Sequence, residues 1–275
     1  MSSAWHKPAL FVVLAAAAVA ADLPTIAFAA VDARVAGQEG FFRRPRGPVA
    51  DYTARAEYDG RFVFTRLRYG SAGNLAGGRF RGEPTWAHDF PRAEFHFLKI
   101  LNELTFVTSV SEQGNIRTLD DPELGQFPIA YMSEPGFWQP SQADVDALRA
   151  YLQKGGFIIF DDFRGYHVNN LVTQMRRVMP AASFQKLDAS HPIFHSFFEI
   201  NALDPRSGYY SDEGDAEWLG MFEDNDPRKR LIAIANNNHD LGELWEYSDT
   251  GYVPVDLSNE AYKFGVNYVM YALTH

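Results

Sequence analysis

One run of residues near the middle of the chain, residues 155–165, constrains the fold more than any other. Gly155 and Gly156 end a predicted helix, and four apolar residues follow them without polar alternation. Such a run is typical of a parallel strand that is covered on both faces. Asp161, Asp162 and Arg164 then follow at the carboxyl end of the strand, where open α/β sheets place their ligand crevice. The run therefore predicts a fold and the position of a site.

Predicted strands and helices alternate through the region from residue 61 to residue 275. The strands are predicted at 62–69, 127–132, 157–160 and 231–235, and the helices at 91–104, 141–152, 168–178 and from Ser258 to the end. In the first helix, we expect Phe95, Leu98, Leu101 and Leu104 to share the buried face. The alternation predicts an α/β fold with a doubly wound, mostly parallel, flavodoxin-like sheet and a small β-rich extension within Ser183–Val255.

The first 29 residues have the pattern of a signal peptide. Lys7 precedes an apolar stretch from Ala9 to Ala21, and Ala27-Phe28-Ala29 forms a small-x-small cleavage site. Residues 30–60 are polar and rich in glycine and proline, which is typical of a linker or loosely ordered arm. We therefore expect an exported, periplasmic protein cleaved after Ala29, with its α/β domain at 61–275. An uncleaved membrane anchor is the alternative.

Charge and cysteine content exclude several classes of function. The formal net charge is −10, and it stays the same after cleavage because Lys7 and Asp22 leave together. An acidic chain lacks the basic surface that nucleic acids and anionic membranes require. The chain has no cysteine, which rules out disulfides and thiol nucleophiles. The G-x-S-x-G elbow and the glycine patterns of nucleotide-binding loops are also missing.

Three carboxylates are the candidate catalytic residues. Asp161 and Asp162 end the central strand, and Glu134 belongs to the turn after the strand at 127–132. Adjacent residues of a strand point to opposite faces, so the two aspartates are not automatically a pair. A carboxylate at this edge could serve as nucleophile, base or metal ligand. The alternative interpretation is that an aspartate here caps a helix.

Several other residues are candidates for ligand binding. His88 and Asp89 lie where a loop should follow a strand, Arg164 could hold an anionic group, and His191 could supply a base. Oxygen ligands would suit magnesium or calcium, and histidine would suit zinc or manganese. However, the spacing matches no established metal motif, so the sequence assigns neither a metal nor any other cofactor.

Four stretches resemble the bacterial domain of unknown function 4159 family. They are YMSEPG at 131–136, GGFIIFDDFRG at 155–165, SHPIFHS at 190–196 and SNEAYK at 258–263. The wider resemblance is to class I glutamine amidotransferase-like domains, including the trehalose-utilisation group. That resemblance implies a sharp elbow at Asp162 or Asp161 and a loop containing Gly136 that supplies backbone N–H groups. Without a thiol, glutamine hydrolysis through a cysteine nucleophile is excluded.

Two functions remain open from the sequence. The first is a non-catalytic, amidotransferase-like module that binds a small ligand or a cell-envelope protein in the crevice. The second is a carboxylate- or metal-dependent hydrolase acting on a carbohydrate or amide substrate.

Overall fold

The computed structural model describes residues 50–70, 84–110, 114–204, 209–210, 212 and 214–275. The predicted signal peptide, the predicted arm up to residue 49 and most of the glycine-rich loop near residues 70–82 lie outside the described residues. Among those described, no helix is both long and apolar enough to cross a membrane.

Seven strands of the described chain form one sheet. Their bounds are β1 Thr65–Leu67, β2 Ile116–Arg117, β3 Ile129–Ser133, β4 Phe157–Phe163, β5 Gln185–Lys186, β6 Glu217–Phe222 and β7 Leu231–Asn237. The described α-helices are α1 Arg92–Leu104, α2 Gln142–Gln153, α3 His167–Val178, α4 Leu241–Glu246 and α5 Val255–Thr274.

The strand order is β2-β1-β3-β4-β7-β6-β5. The first five strands in this order are parallel, whereas β6 runs antiparallel to β7 and β5 runs antiparallel to β6. This confirms the predicted doubly wound, mostly parallel α/β sheet, and the predicted β-rich extension forms its antiparallel edge. From β1 the chain passes to β2 on one side of β1, and it then returns to β3 on the other side of β1. This reversal creates a crevice at the carboxyl ends of the strands.

Both faces of the central strands are buried beneath helices. Ile159 and Tyr131 pack in the core cluster that includes residues of α1, α4 and α5. Phe160 and Met132 pack in the opposite cluster with residues of α2 and α3. Successive side chains of a strand alternate between faces, so an uninterrupted apolar run supplies both layers.

The helix α2 begins and ends as its sequence predicts. Ser141 Oγ accepts a hydrogen bond from the Asp144 backbone N–H at 3.2 Å, and Asp144 Oδ2 accepts one from the Ser141 backbone N–H at 2.9 Å. This reciprocal pair is a capping box. After the helix, Gly155 adopts a φ of +111°, which glycine reaches without the clash of a Cβ atom. The chain can therefore turn directly into β4.

The buried face of α1 differs from the prediction. Leu98 and Leu101 are buried at 2% and 0% exposure, but Phe95 and Leu104 are 44% and 49% exposed. Each step of three residues falls about 60° short of a full helical turn, so four residues at that spacing spread across half the helix. The true stripe is completed by Ala93 and Phe97, which are both 1% exposed.

Other boundaries also differ from the predicted ones. The strand β4 continues to Phe163 and so includes both aspartates, and α5 begins at Val255. Residues 50–60 are packed on the domain, since the Ala54 carbonyl accepts a hydrogen bond from the Ile116 N–H at 2.9 Å. The described part of the predicted arm is thus fixed against the edge of the sheet.

Leu101→Ala and Leu104→Ala test the corrected face of α1. We expect Leu101→Ala to lower the free energy of unfolding by about 2–5 kcal/mol, because it leaves a cavity in the core. Leu104→Ala, the matched control on the exposed face, should change it by less than about 0.5 kcal/mol. Urea unfolding monitored by circular dichroism measures both. Equal losses in the two variants would contradict the assignment.

Candidate functional site

The Asp161 carboxylate is built into the fold. Its Oδ2 accepts hydrogen bonds from the Tyr131 hydroxyl at 2.8 Å and from the backbone N–H groups of Leu241 and Gly242 at 2.9 and 3.1 Å. Its Oδ1 accepts one from Asn236 Nδ2 at 2.9 Å. Burial raises the pKa of Asp161 to about 6, although these hydrogen bonds favour the charged form. This geometry fits the capping interpretation, and the helix that it caps is α4.

Asp162 points to the opposite face, at a sharp elbow in the backbone. Its φ is +60°, and the pairing of β4 with β7 is irregular between Phe160 and Phe163. The residue is only 2% exposed, yet burial does not keep it neutral. The neighbouring His88 and several hydrogen bonds outweigh burial and lower the pKa of Asp162 below its usual value.

Three side chains bind the two oxygens of Asp162. His88 Nδ1 lies 2.7 Å from Oδ2, and the Ser133 hydroxyl donates to the same oxygen at 3.0 Å. The Tyr210 hydroxyl donates to Oδ1 at 2.7 Å. A carboxylate that is held in this way is a poor nucleophile, because attack would require it to give up these bonds.

A buried arginine positions His88. Arg66, on β1, donates from Nη1 to the His88 carbonyl at 2.8 Å and to the Trp86 carbonyl at 3.1 Å. Its Nε is paired with the Glu94 carboxylate. The charge of Asp89 is the main cause that raises the pKa of His88 to about 11, and burial opposes it. The charge of each group thus favours the charged form of the other.

Asp89 is the exceptional carboxylate of the cluster. It is 3% exposed, and neither of its oxygens has a hydrogen-bond partner among the described residues. The nearest basic atom is His88 Nδ1, which lies 3.4 Å from Oδ1. Burial raises the pKa of Asp89 well above its usual value, and the charge of Asp162 adds to this effect. A buried, unsatisfied carboxylate is costly unless a cation or a proton neutralises it.

Asp240 joins the cluster from the end of β7. It caps α4, since its Oδ1 accepts a hydrogen bond from the Glu243 backbone N–H at 2.7 Å, and its Oδ2 accepts one from the Tyr210 hydroxyl at 3.0 Å. Ligand atoms of His88, Asp89, Asp162 and Asp240 all lie within 4.8 Å of one another. Two donors on opposite sides of a divalent ion are about 4.0–5.0 Å apart, so these four side chains fit around one ion.

Glu134 and Arg164 belong to the mouth of the crevice. Glu134 follows β3 with a φ of +46°, and burial followed by the charge of Asp162 raises its pKa to about 8. Arg164 is exposed, with its Cζ 4.4 Å from the centre of the Tyr210 ring. Both residues lie near the carboxyl ends of the strands, where the sequence predicts a site.

Gly136 allows α3 to pack closely against the loop after β3. A Cβ atom at this position would lie 2.5 Å from the His167 Cβ. The glycine is thus explained by this close approach, whether or not its N–H group contacts a ligand.

His191 lies at the amino ends of the parallel strands, opposite the crevice. The prediction that it contributes to ligand binding in the crevice is therefore corrected. Its Nδ1 accepts a hydrogen bond from the Ile193 N–H at 3.2 Å, and its ring lies 5.6 Å from that of Phe222. Phe222 pairs with Leu231, the first residue of β7. Because β6 is antiparallel to β7, Phe222 lies at the amino ends of the parallel strands, and His191 packs there, away from the crevice.

The sequence prediction omitted Ser133, Tyr210 and Asp240 from the site. Asp240 carried a usable signal, because it closes the polar loop after the apolar run 231–235. Tyr210 carried none, since it lies in a region without clear periodicity.

Comparison with known proteins identifies a family but no activity. The family model described as a domain of unknown function, DUF4159, matches residues 63–273. No curated protein matches the chain. The match confirms the resemblance to that family, whereas the resemblance to amidotransferase-like domains stays a prediction.

Glu134→Gln tests the protonated state of Glu134. In chelated protein, the folded state keeps this proton up to about pH 8, whereas an unfolded glutamate releases it near pH 4.3. The folded state then binds more protons, so stability must fall as the pH rises through this window. In the variant, we expect the free energy of unfolding to fall less steeply with pH, by about 1.4 kcal/mol per pH unit.

Urea unfolding at a series of pH values between 4 and 9 measures this slope. Glu103→Gln removes an exposed carboxyl group on α1 and controls for the change in net charge. Identical slopes for Glu134→Gln and the wild type would contradict the assignment.

Proposed function

We propose a function from the site itself, since the chain belongs to the domain of unknown function 4159 family and the family name assigns no activity. In this proposal the protein binds a divalent cation through His88, Asp89, Asp162 and Asp240. The ion then holds a small, oxygen-rich ligand in the crevice at the carboxyl ends of the strands.

The Asp89 carboxylate, which accepts no hydrogen bond from the described residues, is the observation that carries the proposal. Such a buried carboxylate is costly to ionise, and burial raises the pKa of Asp89 well above its usual value. A cation bound at this position would stabilise its charged form. Three carboxylates with one imidazole form a donor set that suits manganese, zinc or magnesium.

The exposure of the four ligands supports an ion that is open on one side. The side chain of His88 is 40% exposed, whereas those of Asp89 and Asp162 are at most 1% exposed. An ion there is closed off on the protein side and reachable from the crevice. Sites that bind exchangeable ligands keep such an open coordination position.

Arg164 would contact a negatively charged part of the ligand. Its guanidinium lies over the ring of Tyr210, whose hydroxyl group binds both Asp162 and Asp240. Guanidinium groups stacked on aromatic rings are well suited to bind carboxylate or phosphate oxygens. Export to the periplasm, predicted from residues 1–29, is part of the proposal, and a cell-envelope protein is the other partner it allows.

Thermal unfolding with and without ions tests cation binding. After chelation, we expect manganese at about 100 times its Kd to raise the Tm by about 5–10 °C, because the ion binds only the folded chain. Asp89→Asn should abolish this rise. Asp146→Asn, an exposed substitution on α2, should retain it. An unchanged rise in Asp89→Asn would sink the proposal.

A second candidate function, hydrolysis, is favoured by Glu134. Its raised pKa keeps it protonated at neutral pH, which is the state required of a general acid. Asp162 would serve as a metal ligand in such an enzyme and not as the nucleophile, because attack would require its oxygens to give up their hydrogen bonds. The substrate would be a carbohydrate or an amide whose oxygen binds the ion.

Glu134→Gln separates hydrolysis from binding alone. With manganese bound, a panel of nitrophenyl glycosides and nitroanilides should show ion-dependent turnover, and the variant should lower kcat by about 10²–10⁴-fold. Equilibrium dialysis should show unchanged manganese binding, and Glu103→Gln should keep full turnover. Equal turnover in Glu134→Gln and the wild type would exclude this role for Glu134.

A further inference from the structure

The two oxygens of Asp89 face different groups. Oδ1 lies 3.4 Å from His88 Nδ1, on the side of the four-ligand cluster. Oδ2 lies against α4, since a Cβ atom on Gly242 would be only 2.5 Å from it. The absence of a side chain at Gly242 therefore lets the carboxylate approach the helix directly.

The side of α4 that Oδ2 approaches carries two further carboxylates. Glu243 and Glu246 are one helical turn apart, and one oxygen of each lies within 4.8 Å of an Asp89 oxygen and of the other. Glu246 is 8% exposed. Glu243 Oε1 accepts a hydrogen bond from the Tyr209 hydroxyl at 3.0 Å, which orients the side chain.

We propose that Asp89 bridges two divalent cations, one held by His88, Asp162 and Asp240 and the other by Glu243 and Glu246. This inference rests on the proposed function, because it adds a second ion to the same site. Each Asp89 oxygen then has its own ion, which accounts for the absence of a hydrogen-bond partner at both of them.

The grouping of the ligand atoms supports two ions rather than one. Five carboxylates contribute to the cluster, and their oxygens fall into two groups that share Asp89. The ions of two-metal sites lie about 3.5–4 Å apart, a separation that a bridging carboxylate can span.

The number of bound ions and their magnetic coupling test the bridge. The purified full chain is chelated and dialysed against excess manganese, and bound manganese per chain is measured by mass spectrometry of the metal. We expect two ions per chain and an electron paramagnetic resonance spectrum of a spin-coupled pair. Glu246→Gln, which keeps the size of the side chain, should reduce the content from two ions to one and remove the coupling.

Glu260→Gln, an exposed substitution on α5, is the matched control and should keep two coupled ions. One uncoupled ion in the wild type would overturn the bridge while leaving the proposed function intact. Two uncoupled ions, or two ions retained in Glu246→Gln, would also overturn it. No bound ion would reject the proposed function itself, so the two failures are distinguishable.

Discussion

The hydrogen-bonded carboxylate of Asp161 fixes the arrangement on which the crevice depends. It joins Tyr131 of β3, Asn236 of β7 and the first N–H groups of α4 to the central strand. Those bonds offset the cost of removing the charge from water. Because α4 is held at this point, Asp240 is placed beside Asp162, and the glutamates of the helix are placed beside Asp89. Asp161, which precedes Asp162 in the sequence, thus determines the geometry of the crevice.

The contrast between Asp161 and Asp89 separates a structural carboxylate from one that we propose binds a cation. Both are almost completely buried. The oxygens of Asp161 are satisfied by four donors from the protein, whereas those of Asp89 have no hydrogen-bond donor in the described chain. Satisfied buried carboxylates rigidify a fold, and unsatisfied ones are costly unless a cation or a proton neutralises them. Burial alone would not have distinguished the two.

Local patterns predicted the layers of the fold and one edge of the site, but not the whole cluster. Asp162 and Glu134 could be expected at this edge because each lies at the end of a strand whose direction the parallel sheet determines. Asp240 was missed because its neighbour in space depends on β7 pairing with β4, which local periodicity does not encode. His191 was misplaced because its position depends on long-range packing against Phe222 and Tyr271, which local periodicity does not encode.

Backbone conformation adds an independent argument that the site exists for binding rather than for stability. Asp89, Glu134 and Asp162 all have positive φ angles, of 66°, 46° and 60°. Each such residue costs about 1–2 kcal/mol relative to a relaxed conformation. Asp89 and Glu134 also carry carboxyl groups whose charged forms are disfavoured by burial and by the charge of Asp162. Strained conformations concentrate at functional sites, so the coincidence of these features in one crevice supports the proposal that a cation or ligand binds there.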